Sequence, residues 1–127
     1  MTKIKEASTY NANKQIALQS CPVTYIMNKI GGHWKPIILY HLLSGNKRYS
    51  EIKKAMPHIS EKMLIQHLKQ LETDNLVIRE ARPVVPPFVT YSLTEGGREI
   101  ETVINAMADW AFRDMERSGI IYTPVTP

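Results

Sequence analysis

Ser50 to Tyr91 reads SEIKKAMPHISEKMLIQHLKQLETDNLVIREARPVVPPFVTY. Ser50 can cap a short helix through Met56, with Ile52, Ala55 and Met56 inward. Pro57 breaks that helix, because its ring clashes with the preceding turn and it lacks an N–H. Ser60 then caps a longer helix to about Thr73. Ile59 before the cap and Leu64 inside the helix form a hydrophobic staple, and Leu64, Leu68 and Leu71 mark the buried stripe. Asn75 follows, a residue that tolerates the left-handed conformation in which helices end. Leu76 to Arg82 and Phe88 to Leu93 are rich in strand formers, with Pro83-Val84-Val85-Pro86-Pro87 between them. Prolines cannot donate to a ladder, so this is the tip of an exposed ribbon. Two helices across a tight turn followed by a two-stranded ribbon make a helix-turn-helix with a wing.

The flanks extend this unit. Downstream, Thr94 caps a helix predicted from Glu95 to about Arg117, with an apolar stripe of Ile100, Val103, Ile104, Met107, Trp110, Ala111 and Met115. Gly119 ends it. Upstream, Cys21-Pro22 starts a helix, since proline suits the first helical position. Val23, Ile26, Met27 and Ile30 recur at helical spacing before Gly31-Gly32 stops it. Trp34 to Leu43 is apolar nearly all round, which predicts a central, buried helix. Lys47 to Tyr49 reads as a short strand. The expected organisation is a partly flexible arm over residues 1–20, a winged-helix domain over 21–118 and a tail over 119–127. Within the domain the helix-turn-helix spans about 50–73, the wing about 76–93 and the terminal helix about 95–117. The fold class is mainly α, of α+β type.

With 127 residues, 43% hydrophobic and 22% charged, the chain is ordinary globular material of one-domain size. No apolar run approaches a membrane span, and the first twenty residues lack the apolar region of a secretion signal. A single cysteine excludes an intramolecular disulfide framework. A cytoplasmic protein with no membrane contact is the expectation. The net charge of +4 is unevenly spread. Met1 to Leu93 carries thirteen Lys/Arg against six Asp/Glu, and Thr94 to Pro127 three against six. A basic body with an acidic end suits a polyanion on one face and a different partner on the other.

A helix that reads a major groove needs one apolar face against its scaffold and one polar face for bases and phosphates. On the Ser60 helix, Lys62, Gln66, Lys69 and Thr73 lie opposite the leucines, with Glu61 and Ile65 beside them. Gln66 can bond adenine at two atoms, and lysine reaches guanine or phosphate. Ser60 and the first-turn N–H groups can hold a phosphate. Lys47, Arg48, Lys53 and Lys54 are candidate backbone contacts, and Arg79 and Arg82 lead into the wing. A lone helix of this kind is more often a solvated amphipathic helix. The turn, the capped start, the ribbon and the basic surplus together favour double-stranded DNA.

The terminal helix carries more apolar surface than one small helical body needs, and a wet Trp110 is costly. A homodimer accounts for both, with Val23, Met27, Ile100, Val103, Ile104, Met107, Trp110 and Ala111 as candidate interface residues. The alternative is a stripe that folds back on its own domain. Cys21 stands at a helix N-cap, where exposed N–H groups and the helix dipole favour the thiolate, which makes it a candidate redox-sensing residue; the simpler reading of the residue alone is a small buried cysteine with no sensing role. With no second cysteine, a response requires an adduct, a mixed disulfide or a bridge to another subunit.

Other chemistry is not visible. His33, His41, His58 and His67 fall on different elements without zinc-motif spacing. No phosphate-binding glycine loop and no catalytic triad or carboxylate pair stands out. No enzyme activity, cofactor or metal is expected.

Those residues also carry a resemblance. Cys21-Pro22-Val23, Ile30-Gly31-Gly32-His33-Trp34, Leu42-Leu43-Ser44-Gly45, Arg48-Tyr49-Ser50-Glu51-Ile52, Ile59-Ser60-Glu61-Lys62-Met63-Leu64, Leu68-Lys69-Gln70-Leu71-Glu72, Pro86 to Thr94 and Ala106-Met107-Ala108-Asp109-Trp110 run in the order of the HxlR-type regulators. These are a branch of the MarR-like winged-helix transcription factors, and the likeness covers roughly Cys21 to Phe112. It implies a homodimeric DNA-binding repressor or activator, with dimerisation through the terminal helices; a repressor on a pseudo-palindromic operator is the expectation. It also implies an electrophile or small-molecule effector, sensed in some members through the cysteine of the Cys-Pro motif. His33, Asn75, Phe88 and Thr90 depart from the residues common in the family. Phe88 replaces an arginine, which leaves the wing with Arg79 and Arg82 at its base and weaker expected contacts. The other function class is a winged-helix protein-interaction module whose basic face is incidental.

Overall fold

The computed structural model describes residues 3–125, with side chains from residue 12 onward. The outermost residues of the expected arm and tail, 1–2 and 126–127, lie outside the described residues. The chain divides between Gly32 and His33 into two compact units. The sequence had placed that boundary near residue 20.

The N-terminal unit contains α1 (Lys3–Ser20) and α2 (Pro22–Ile30), which contact each other. The expected flexible arm is thus a helix, which the sequence hid because no regular apolar stripe marks it. Cys21 is the N-cap of α2 in an extended conformation, and Pro22 occupies its first turn as predicted. Gly31 closes α2, and a side chain there would run into the carbonyl of Met27.

The second unit begins with α3 (Lys35–Leu42), in which Ile38, Leu39 and Leu42 are buried. β1 (Lys47–Arg48) leads into α4 (Tyr49–Ala55). Arg48, not Ser50, is the N-cap of α4, and its backbone N–H donates to Glu51 Oε1 at 2.9 Å. α5 (Glu61–Thr73) follows the turn at Pro57. Asn75 has φ of 58°, the left-handed conformation its residue type tolerates. β2 (Val77–Arg82) and β3 (Phe88–Leu93) form the ribbon, and the sheet order is β1-β3-β2, all antiparallel. Fully buried Ile38, Leu39, Leu42, Ile52, Leu64, Leu68 and Leu71 make the core, where α3, α4 and α5 meet.

The predicted terminal helix is two helices, α6 (Glu95–Glu99) and α7 (Glu101–Arg117), joined at Ile100. No proline marks that joint, so the apolar stripe reads straight through it. Thr94 caps α6 by accepting the Gly97 N–H at 2.9 Å, and its hydroxyl donates to the Asn75 carbonyl at 2.7 Å. Gly97 is buried because a Cβ there would overlap the Leu76 carbonyl. At the end of α7, Gly119 has φ of 68° and Ile120 N–H reaches back to the Met115 carbonyl, the geometry of a Schellman cap.

Candidate nucleic-acid interface

α5 is set by its first turn. Ser60 Oγ accepts the Met63 N–H at 3.1 Å, satisfying one of the free donors at the helix start. Leu64, Leu68 and Leu71 bury one face completely. Lys62, Gln66 and Lys69, at i, i+4 and i+7, are exposed on the other. The reading face proposed from sequence is therefore solvent-accessible and held by a rigid back. Ile65, 43% exposed, sits at its edge.

Between α5 and the sheet lies a cleft of about 510 Å³, lined by Tyr49, Ile65, Lys69, Glu72, Arg79, Val89 and Tyr91. Lys69 on the helix wall and Arg79 on the strand wall place two cations at one opening. Tyr49 Oη is buried there without a hydrogen-bond partner. Burial raises the pKa of Tyr49, with smaller contributions from Glu61 and Tyr91, so it remains a neutral phenol.

Residues along a strand alternate between faces, and cross-strand partners share one. Arg79 pairs with Tyr91 and Ala81 with Val89, and this face looks into the cleft. Arg82 pairs with Phe88 and Glu80 with Thr90 on the opposite face, and Arg48 pairs with Thr90 from the other side. The sequence treated Arg79 and Arg82 as one pair at the wing base, whereas the structure sends them to opposite faces. On the outer face the Arg48 guanidinium lies 4.3 Å and the Arg82 guanidinium 5.3 Å from the centroid of the Phe88 ring.

The other candidate cations divide. Lys54 is exposed on α4. Lys53 Nζ is directed to the Pro57 carbonyl at 3.4 Å. Lys47 Nζ donates to Ser44 Oγ at 3.0 Å and lines a cavity with Tyr40, His41 and Asn105, so it is not gathered with the α5 face. Burial, followed by the charge of Lys47, lowers the pKa of His41.

The stripe of α7 also divides. Ile104 is only 3% exposed and belongs to the core, so it is not free for an interface as the sequence suggested. Ala111 faces a groove with Ile37 and Tyr40 of α3. Val103, Met107 and Trp110 are exposed, Trp110 at 58%, and with Thr102 and Ala106 they line an apolar hollow of about 680 Å³. Ile100 is half-buried at the α6–α7 joint. In the N-terminal unit, Val23 and Met27 are exposed. Cys21 is partly exposed, and its thiol pKa is lowered first by the Thr24 side chain, then by the backbone of Thr24 and Val23. That is the expected activation of a thiol at a helix start.

Sequence reasoning missed Tyr49, Tyr91 and Phe88 as site residues. An aromatic residue reads as packing: strand register shows what Phe88 and Tyr91 touch, and the start of α4 places Tyr49. Among the described residues, no helix is long and apolar enough to cross a membrane and no cluster of three or more His, Cys, Asp or Glu could hold a metal ion.

Residues 29–119 match the family model described as HxlR-like helix-turn-helix. The chain is 46% identical over 99 residues to the HTH-type transcriptional regulator YdeP of Bacillus subtilis, covering 78% of this chain and 77% of that protein. It is 44% identical to YybR of the same organism over 72% of this chain and 74% of that one. Among solved structures, the redox regulator HypR in its oxidised form superposes with a TM-score of 0.71 at 43% identity, over 73% of this chain and 96% of that one. The reduced form of the transcriptional regulator YodB from Bacillus subtilis gives 0.63 at 38% identity, over 72% and 90%. The match spans α3 to the end of α7, the elements that build the exposed α5 face and its wing, and the chain belongs to the HxlR-like helix-turn-helix family of DNA-binding transcriptional regulators.

Proposed function

We propose that the protein is a homodimeric repressor that sets α5 of each protomer into a major groove of a pseudo-palindromic operator. One observation carries this reading: α5 buries one face completely and exposes Lys62, Gln66 and Lys69 on the other. Gln66 reads a base edge, Lys62 and Lys69 reach guanine or phosphate, and Ser60 with the first-turn N–H groups holds a phosphate. Arg79, in the cleft beside Lys69, contacts the backbone where helix and wing converge. Lys54, and Lys53 from its position near Pro57, add phosphate contacts from α4. Two α5 helices in a two-fold dimer read half-sites about one helical turn apart. The exposed Val103, Met107 and Trp110 supply the apolar surface for that dimer. Cys21 is the proposed trigger: an electrophile or oxidant modifies its activated thiol and changes operator affinity. The likeness to the redox regulator HypR, and to the transcriptional regulator YodB solved in a reduced form, supports this reading.

The test begins with selection of bound DNA from a random pool, with and without a thiol oxidant. Lys69→Ala should weaken binding to most sequences and reduce the salt dependence by about 0.9 in log–log slope for each phosphate no longer neutralised. Gln66→Ala should change base preference at one position in each half-site. Wild-type binding by both variants would reject the docking, and the absence of salt-sensitive binding to random duplex DNA would favour a protein-docking module instead.

A further inference from the structure

The outer face of the wing holds an arrangement that the reading face does not require. Phe88 of β3 has the Arg48 guanidinium from β1 at 4.3 Å and the Arg82 guanidinium from β2 at 5.3 Å from its ring centroid. The three residues come from three adjacent strands and share one sheet face, as the pairings Arg48–Thr90 and Arg82–Phe88 require. Two guanidiniums repel each other, so gathering them needs an attraction. The ring quadrupole supplies one to each. Neither arginine has a carboxylate in ion-pair range among the described residues. Stacking on a ring occupies the flat face of a guanidinium and leaves its edge N–H donors available.

We propose that Phe88 is a positioning residue that presents Arg48 and Arg82 as a paired guanidinium site for the phosphates of duplex DNA. The site lies on the outer face of the wing and is separate from the Lys69–Arg79 cleft. It reverses the expectation from sequence, in which an aromatic residue at position 88 weakened the wing. The ring carries no charge itself but orients two charges that belong to other strands. This inference rests on the DNA-binding reading above, and extends it to a contact that fixes register without reading bases.

The test uses the full-length protein and short duplex DNA of random sequence, because phosphate contacts are sequence-independent. Binding is measured over a range of salt concentrations for wild type, Phe88→Ala, Phe88→Leu, Phe88→Tyr and the double variant Arg48→Ala/Arg82→Ala. The double variant should lose up to about 1.8 in log–log slope per protomer, two phosphates at about 0.9 each. Phe88→Ala and Phe88→Leu should each lose more than half of that amount with unchanged melting temperature. Phe88→Tyr, which keeps the ring, should retain the wild-type slope. Adding Phe88→Ala to the double variant should change nothing further. A wild-type slope in Phe88→Leu overturns the proposal, since bulk without a ring would then suffice. So does an additive loss in the triple variant. If wild type itself shows no salt-sensitive binding to duplex DNA, the DNA reading fails with it. Normal wild-type binding with silent Phe88 variants sinks the positioning role alone.

Discussion

Cys21 is the residue whose chemistry depends most on its immediate neighbours. Its thiol stands at the start of α2, and its pKa is lowered first by the Thr24 side chain and then by the backbone of Thr24 and Val23. Alkylation by iodoacetamide should therefore reach half-maximal rate at a pH below the value of about 8.5 typical of a free cysteine. Thr24→Val should move that midpoint upward, since the threonine side chain makes the largest contribution. Cys21→Ser should keep DNA binding and lose any response to quinones or hypochlorite. An unshifted alkylation profile, or an unchanged response in the serine variant, would remove Cys21 as trigger. The activated position was legible because Cys-Pro before an apolar periodic run marks a helix start. The Thr24 contribution was not, since the direction of a threonine hydroxyl three residues on depends on its rotamer, which the sequence does not show. The neighbours of Phe88 were not legible for a related reason: Arg48 and Arg82 come beside its ring only once strand register is set.

At the scale of elements, the junction between wing and α6 is the most constrained. Gly97→Ala would push a methyl group into the Leu76 carbonyl and should destabilise the fold by about 1–3 kcal/mol, as overpacking does. Gly96→Ala, whose Cβ would meet its nearest neighbours at 3.8 Å, should be neutral or stabilising by up to about 1 kcal/mol from helix propensity. Urea midpoints at constant slope would measure the difference, and equal midpoints would show that close approach is not what keeps Gly97. In sequence nothing distinguishes the two adjacent glycines. The Ser60 cap, the Pro57 break, the left-handed Asn75 and the Pro-rich wing tip were legible, because each depends on local backbone chemistry. α1 and the joint at Ile100 were not. One has no apolar period to announce it, and the other interrupts a stripe that continues unbroken in sequence.

For the whole molecule, the exposed apolar run on α7 sets the expected assembly. Trp110→Glu should convert a dimer to a monomer in sedimentation equilibrium and weaken DNA binding, because two half-sites are then no longer engaged together. A variant with the wild-type mass, or a monomeric wild type, would reject α7 as the interface. The acidic surplus after Thr94 was visible in the sequence. Which apolar residues remain outside was not, since Ile104 and Met107 differ by three positions and only packing separates them. The Thr94 knot then acquires a mechanical meaning. Its hydroxyl ties the end of the reading helix at Asn75 to the start of α6 at Gly97, and its own N–H donates to the Leu76 carbonyl. The end of α5 and the start of α6 are thereby joined at one residue, and α7 continues from α6 at Ile100. In a dimer built on α7, the protein behaves as a caliper: the distance between its two reading tips is fixed by the angle at which the α7 helices cross. On the proposed docking, an effector that altered that crossing angle would change the fit to the operator without touching a base-contacting side chain.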